Sequence, residues 1–267
     1  MDKLLIAIDP GFDSMKVIIN GIVFKFPFNV EPTDERSFSN YIVNDDFYLY
    51  QDEELKTWRV GQYARELIFE NKTETEIEKR MALFYSEDRF LSTEFDVGIK
   101  TAIALALLNF NKQNKDVPLS ELLNKEMVLM ITLPHAAKDK YSRTVIDTLK
   151  GSNEDFKRFN ITLKEENIYT VSQTIASIIG ETSDDDGNIN EEKFYYLSEG
   201  PTLVIDGGYY TTGLIAISRG GSIDNSKSES NIEYTMKNIN MKVANELASF
   251  RQDIRHNTFS LPRYSVV

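Results

Sequence analysis

Two turns of the sequence share one pattern of residue types, and that pattern could hold a phosphate group and a metal ion. Asp-x-Gly-x-x-Ser/Thr begins at Asp9 and again at Asp206, 197 residues later. In each turn an apolar run ends in the carboxylate, and the glycine lets the backbone approach a ligand closely. Backbone amides that converge at such a turn can bind an anion, while the carboxylate can hold Mg²⁺ through its water molecules.

Either turn alone would also fit an ordinary hairpin that contains glycine. The repetition, each time directly after an apolar run, favours a pair of turns that grip a polyphosphate from two sides. The sequence has neither the Gly-x-x-x-x-Gly-Lys-Ser/Thr nor the Gly-x-Gly-x-x-Gly pattern of commoner nucleotide sites. We therefore expect a polyphosphate site built from two separate hairpins.

Strands on either side of each turn must position it. Apolar runs at residues 4–8 and 17–19 predict the first hairpin, and runs at 203–205 and 213–217 predict the second. The run at 127–133 predicts an interior strand that ends before a proline. Further short strands are predicted at residues 22–26, 47–50, 58–60 and 168–171.

Segments whose apolar residues recur at helical spacing alternate with these strands, and this alternation predicts an α/β fold. The predicted helices lie at residues 95–110, 138–150, 172–180 and 232–250. In the third of them Ser172 is the expected N-cap and Gly180 the expected residue just past the end. Residues 181–193 are polar and acidic, and we expect a solvated loop there.

Composition limits the class of protein. The chain has 267 residues, of which 41% are hydrophobic and 27% charged, as in one large or two modest globular domains. Its net charge of −12 opposes direct contact with nucleic acid. The absence of cysteine excludes disulfides and thiolate catalysis, and the two histidines lack metal-ligand spacing. Neither a signal peptide nor a membrane span is predicted, so we expect a cytoplasmic protein.

The order of these motifs resembles that of the actin-like ATPases, and within them most closely the plasmid-segregation actins of the ParM type. Residues 8–16 resemble the first phosphate motif, with Lys16 in the place of the phosphate-contacting lysine. Residues 204–213 resemble the second phosphate motif, and residues 60–64 resemble the Val-Gly-x-x-Ala segment of ParM relatives. Thr132 stands in a strand-ending segment where that family usually has glycine.

The resemblance implies two ribonuclease-H-like actin-type domains on either side of a nucleotide cleft. The first would span residues 1–180, with a small, surface-facing β-rich insert at about 22–65, and the second would span 181–267. Members of the superfamily have a glycine-pair motif that contacts adenosine, but no glycine follows Gly221 here. We therefore expect a second domain that is truncated at its C-terminus, with uncovered apolar surface that favours self-association.

The resemblance also implies a role for each residue of the site. Asp9 and Asp206 would hold Mg²⁺ through water, and Gln173, in the place of the family's Glu or Gln, would orient the attacking water. These three residues form the predicted catalytic group. The predicted nucleotide-binding residues are Gly11, Phe12, Asp13, Ser14, Lys16, Gly207, Gly208, Tyr209, Tyr210 and Thr211. Because glutamine is not a strong base, we expect slow hydrolysis.

The implied function is that of a magnesium-dependent ATPase, or GTPase, that polymerises into filaments for plasmid DNA segregation. Its partners would be further copies of itself and an adaptor DNA-binding protein, without direct contact to nucleic acid or membrane. Two alternatives stay open. A metabolite kinase of the same superfamily would need a catalytic aspartate base, and a non-catalytic actin-like scaffold is suggested by the missing adenosine motif.

Overall fold

Three β-sheets and the helices between them make up the part of the chain that the structure describes. The computed structural model describes residues 3–33, 42–44, 47–51, 56–71, 73, 87–151, 161–184, 187–208, 212–231, 235–236, 238–243 and 245–246.

The secondary-structure elements follow one another in chain order. The strands are β1 (Lys3–Pro10), β2 (Ser14–Ile19), β3 (Ile22–Pro27), β4 (Val30–Thr33), β5 (Ile42–Asn44), β6 (Phe47–Gln51), β7 (Thr57–Gly61), β8 (Glu126–Leu133), β9 (Ile168–Ser172), β10 (Thr202–Gly207), β11 (Thr212–Ile217) and β12 (Glu229–Asn231). The helices are α1 (Gln62–Asn71), α2 (Thr93–Gln113), α3 (Leu119–Leu123), α4 (His135–Leu149), α5 (Gln173–Thr182) and α6 (Glu191–Ser198), and short 3₁₀ helices occupy Glu87–Leu91 and Glu165–Asn167.

The largest sheet places three strand ends at one edge. Its order is β3-β2-β1-β8-β9, with β1 antiparallel to β2 and β8 parallel to both β1 and β9. Because β1, β8 and β9 are parallel, their carboxyl ends meet at the same edge. The side chains of Asp9 and Thr132, together with Gln173 just after β9, are thereby brought toward one point. The predicted first hairpin and interior strand are confirmed.

Helices α2 and α4 pack against this sheet. Residues 97–103 of α2 are all buried, so this helix is covered on every side, as its apolar sequence predicted. The side chain of Ser92 caps α2 by accepting a hydrogen bond from the amide of Phe95 at 3.1 Å. Helix α4 buries a single stripe, formed by Ala137, Tyr141, Val145 and Leu149.

The strand β3 corrects the predicted start of the small insert. It pairs with β2 across a two-residue turn in which Asn20 and Gly21 have positive φ, the conformation of a tight hairpin. The strand therefore belongs to the largest sheet, and the separate sheet, in the order β4-β7-β6-β5, begins only at Val30. Trp58 and Val60 of that sheet are buried in the main core, so the insert is not simply surface-facing.

The second predicted hairpin is also confirmed. Strands β10 and β11 pair antiparallel, and β12 adds to β11. Leu203 and Ile205 on β10 are 56% and 64% exposed, which confirms the prediction of uncovered apolar surface in this region. Helix α5 leads from the large sheet to this hairpin and packs closely on it: a Cβ at Gly213 would lie 2.5 Å from Oγ1 of Thr174.

The boundaries predicted around α5 are wrong at its C-terminal end. The helix continues through Gly180 to Thr182, whose hydroxyl donates to the carbonyl of Ile178, so Gly180 is not the residue after the helix. Ser172 occupies the N-cap position without a side-chain capping bond. The predicted loop contains the start of α6, where Asn190 accepts a capping hydrogen bond from the amide of Lys193 at 3.1 Å. This cap overrides the polar composition of the segment.

The last predicted helix is described only in part. Met236 and residues 238–243 and 245–246 are helical, and the rest of 232–250 lies outside the described residues. Within the described ranges no helix is long and apolar enough to cross a membrane. The division into domains at residue 180 stays a prediction.

Candidate functional site

A cleft of about 410 Å³ opens between the two hairpin turns. One side is lined by Asp9, Gly11, Phe12, Asp13, Ser14 and Lys16, which are all the residues predicted from the first turn. Asp206 and Gly208 of the second turn line the opposite side, and Gln173 lines the cleft from the start of α5. Gly207 is exposed at the end of β10, and Tyr209, Tyr210 and Thr211 lie outside the described residues.

The Asp9 carboxylate accepts three side-chain hydrogen bonds in the cleft. Its Oδ1 accepts from Oγ1 of Thr132 at 2.7 Å and from Nε2 of Gln173 at 2.7 Å. Its Oδ2 accepts from Nζ of Lys16 at 3.0 Å. Three donors from different elements therefore fix this carboxylate in position, and bonds to an ionised acceptor are the stronger kind.

One backbone hydrogen bond occurs at the same position in both turns. The amide of Gly11 donates to the carbonyl of Asp9 at 2.9 Å, and the amide of Gly208 donates to the carbonyl of Asp206 at 3.2 Å. These two amides are thus engaged inside their turns. A bound anion would be contacted by the amides of later residues in each turn. Each glycine would let the backbone come close to the anion without donating a hydrogen bond to it.

Glycine is required in the first turn for a steric reason. A Cβ at Gly11 would lie 2.8 Å from the carbonyl oxygen of Ser14, a backbone atom that cannot swing aside. The turn is also tied to the end of β3, because the amide of Phe28 donates to the carbonyl of Asp13 at 3.0 Å. The first turn is therefore both tight and anchored.

Lys16 is the cation positioned to neutralise a bound anion. Its side chain is 62% exposed although Nζ contacts Asp9. An exposed ion pair of this kind contributes little stability, so the ammonium can turn toward a ligand at small cost. The exposure and position of Lys16 suit the phosphate contact predicted for it.

The Asp206 carboxyl has a raised pKa. Burial raises the pKa of its carboxyl above the ordinary value of 3.8, the negative charge of Asp9 raises this pKa further, and the Lys16 ammonium lowers it in part. The two carboxylates therefore repel each other across the cleft, an arrangement common where a cation or a proton is handled.

We expect Asp206→Asn to raise the melting temperature of the metal-free protein at neutral pH. With a raised pKa, folded Asp206 binds more protons than unfolded Asp206 just above pH 3.8, so stability falls as pH rises through that window. Asparagine does not ionise, so the stability of the variant should not fall with rising pH in this way. We expect the variant to melt roughly 2–4 °C higher than the wild type at pH 7, and at the same temperature as the wild type at pH 3.

Thermal melts in EDTA between these two pH values measure the effect. Asp139→Asn is the matched control, because the Asp139 side chain is 88% exposed and is expected to give no pH-dependent gain. An Asp206→Asn protein that melts at or below the wild-type temperature at pH 7 would contradict the electrostatic account of the cleft.

The donor set fits a hydrated magnesium ion. Asp9 and Asp206 line one cleft, and among the described residues no group of three or more His, Asp or Glu side chains could hold a metal ion. Mg²⁺ is usually bound by one or two carboxylates, keeps several waters and shares the rest of its shell with phosphates. A pair of carboxylates facing a phosphate-sized cleft is compatible with that mode of binding.

Thr132 is a site residue whose role the sequence did not predict. Its hydroxyl reaches Asp9 because β8 lies beside β1 in parallel register. Ala176 and Ser177, one turn along α5 from Gln173, also line the cleft and were not predicted. The periodicity of α5 could have indicated them, since residues three and four positions after Gln173 share its helix face.

Comparisons with known proteins identify the fold. No protein-family model matches the sequence, and no curated protein matches it significantly. Among solved structures, the chain is similar to the 15-stranded ParM filament from Clostridium botulinum (22% identity, TM-score 0.61, covering 95% of this chain and 70% of that one). It is also similar to a non-polymerisable quadruple mutant of pCBH ParM (22% identity, TM-score 0.60, covering 89% of this chain).

A third similar structure is the AlfA filament from Bacillus subtilis plasmid pLS32, at 17% identity and a TM-score of 0.58, with 94% of this chain covered and 80% of that one. The chain spans 65% of the pCBH ParM mutant's length. The chain therefore has the actin fold in its ParM-like form.

Proposed function

We propose that the chain binds a magnesium–nucleoside triphosphate between the two turns and hydrolyses it slowly. The observation that carries this proposal is the Asp9 carboxylate, held by Thr132, Gln173 and Lys16 and facing Asp206 across the cleft. Phosphoryl transfer to water depends mainly on positioning and charge neutralisation. The cleft provides groups for both.

Each residue has a distinct task in this proposal. Lys16 neutralises phosphate charge once it turns from Asp9 to the ligand. Asp9 and Asp206 bind Mg²⁺ through water, and the ion, when bound, neutralises the phosphate charge that develops. Gln173 donates its Nε2 to Asp9, which fixes the amide plane, and its side-chain oxygen then accepts a hydrogen bond from the attacking water. Because an amide cannot take the proton, hydrolysis is slow.

We further propose that the chain polymerises in the cytoplasm and segregates plasmid DNA through an adaptor protein. The support is the similarity of its fold to ParM and AlfA, both solved as filaments. The net charge of −12 repels DNA, so we expect a separate adaptor protein to contact the DNA. Repetition of one heterologous contact between copies produces an open filament.

Phosphate release and pelleting, measured on one preparation with Mg²⁺ and ATP or GTP, test this function. The proposal expects phosphate release without any added acceptor, together with nucleotide-dependent sedimentation. Release only in the presence of an acceptor metabolite would favour the kinase alternative. Sedimentation with no nucleotide bound would favour the scaffold alternative, and both outcomes would contradict the proposal.

Gln173→Ala should separate hydrolysis from binding. We expect the hydrolysis rate to fall by roughly 10²-fold, the usual effect of losing one group that acts on the attacking water, while nucleotide affinity changes by less than about threefold. Gln62→Ala is the matched control, because Gln62 also begins a helix and its Nε2 donates to a neighbouring side chain of the same helix, Glu66, at 3.0 Å. Equal hydrolysis by the Gln173 variant and the wild type would exclude Gln173 from catalysis.

A further inference from the structure

A buried arginine lies directly behind the first turn. Arg89, in the 3₁₀ helix Glu87–Leu91, is 1% exposed. Its Nη2 donates to the carbonyl oxygen of Pro10 at 2.9 Å, and its guanidinium lies 3.8 Å from the ring centroid of Phe12. Both contacts are to residues of the turn that follows Asp9, and burial of so polar a side chain is rare without a specific role.

The backbone of Arg89 is itself firmly held. Its carbonyl accepts from the amide of Ser92 at 3.0 Å and from the hydroxyl of Ser92 at 2.8 Å. The same hydroxyl caps α2 by accepting from the amide of Phe95. Arg89 thus extends from the capped start of α2 to the first turn, and it links this buried helix to the candidate phosphate site.

We propose that Arg89 is a positioning residue that fixes the first turn in its ligand-binding form. The planar guanidinium both donates to the Pro10 carbonyl and lies over the Phe12 ring. A lysine ammonium has no flat face to lay on that ring and no fork of donors with fixed geometry. The Pro10 carbonyl belongs to the peptide whose nitrogen is that of Gly11, so the contact sets the orientation of the peptide that opens the turn. The proposal rests on the proposed function for its effect on nucleotide affinity, but its effect on the turn is independent of any ligand.

A purely structural role for Arg89 predicts a different result. If the arginine only filled the core, its replacement would loosen the strands and the turn together. If it positions the turn, the change would be local, because β1 and β8 are held by their own ladder of hydrogen bonds. Hydrogen exchange resolves the two cases residue by residue.

Amide hydrogen exchange of the full chain without nucleotide is the first measurement, on Arg89→Lys and on Phe12→Leu. We expect exchange of the amides at residues 11–14 to accelerate by about tenfold or more in both variants, with no change at residues 127–131 of β8. Arg143→Lys is the matched control, because Arg143 is 64% exposed and pairs with Asp147 and Glu165 away from the cleft. Equal acceleration in turn and strand, or none in the turn, would overturn the proposal.

Titration with a fluorescent ATP analogue and Mg²⁺ is the second measurement. We expect Arg89→Lys to weaken binding by about tenfold while the hydrolysis rate at saturation stays within about threefold, a split typical of lost positioning before the chemical step. Unchanged affinity in a variant with a loosened turn would overturn the link to the site. A wild-type chain that binds no nucleotide would refute the proposed function, whereas the exchange result would still decide the anchoring of the turn.

Discussion

Asp9→Asn should abolish magnesium-dependent nucleotide binding and reduce hydrolysis by about 10³-fold, the largest effect expected of any single change in this chain. Asparagine has one acceptor oxygen, and that oxygen is needed by Thr132 and Gln173, which share Oδ1 at 2.7 Å each. Its Nδ2 would then face the Lys16 ammonium, 3.0 Å from the present Oδ2, so two donors would oppose each other. The variant also loses the negative charge that binds the hydrated ion.

Isothermal titration with Mg²⁺ and a slowly hydrolysed ATP analogue measures this effect, with phosphate release measured in parallel. The Asp139→Asn change, at a side chain that is 88% exposed, controls for the loss of one negative charge and should bind like the wild type. An Asp9→Asn protein that keeps wild-type affinity in the presence of Mg²⁺ would remove the basis for a role of this carboxylate.

Gly11→Ala should lower nucleotide affinity by about 10²-fold, because the added methyl group must push the backbone of the first turn aside. Its Cβ would lie 2.8 Å from the Ser14 carbonyl oxygen, a separation that the turn can relieve only by opening. We expect the free energy of unfolding to fall by no more than about 1–3 kcal/mol, the usual range for overpacking. A 10²-fold loss of affinity corresponds to about 2.8 kcal/mol, so the losses of binding and of stability should be similar in size.

Gly180→Ala is the matched control for the glycine change. Gly180 lies inside α5, a Cβ there would contact nothing within 4 Å, and its φ is not positive. Alanine should stabilise the helix by up to about 1 kcal/mol and leave nucleotide affinity unchanged. Chemical denaturation and the same titration measure both variants, and wild-type affinity in Gly11→Ala would contradict the tight first turn.

The sequence predicts those parts of the fold whose signal is local. Each hairpin turn lies between apolar runs of strand length, and the repeat of acid, glycine and hydroxyl 197 residues apart marks both turns as a pair. The helix α2 is predicted because its apolar residues are dense enough to bury every side. These patterns are visible without any long-range contact.

The parts that the sequence does not predict depend on contacts between distant residues. Thr132 becomes a site residue only because β8 lies beside β1, and its hydroxyl bonds a carboxylate 123 positions away. Arg89 reaches Pro10 across 79 positions. Neither contact has a local sequence pattern. Residue types and spacing alone therefore show only that Thr132 replaces a usual glycine, and they do not predict a role for Arg89.

The errors at element boundaries have local physical causes. The tight turn at Asn20 and Gly21 sends β3 back along β2, which places it in the large sheet instead of the insert. Asn190 caps α6 within a segment whose acidic composition predicted a loop. In both cases one residue with a specific backbone role outweighs the average character of its neighbours.

The most direct test of the two-turn site is a crystal structure of the chain with Mg²⁺ and a non-hydrolysable ATP analogue. We expect the terminal phosphates to lie between residues 11–14 and the second turn, with Lys16 against a phosphate oxygen and with waters of the metal ion on Asp9 and Asp206. Density for the nucleotide outside this cleft, or phosphates bound by one turn alone, would contradict the account.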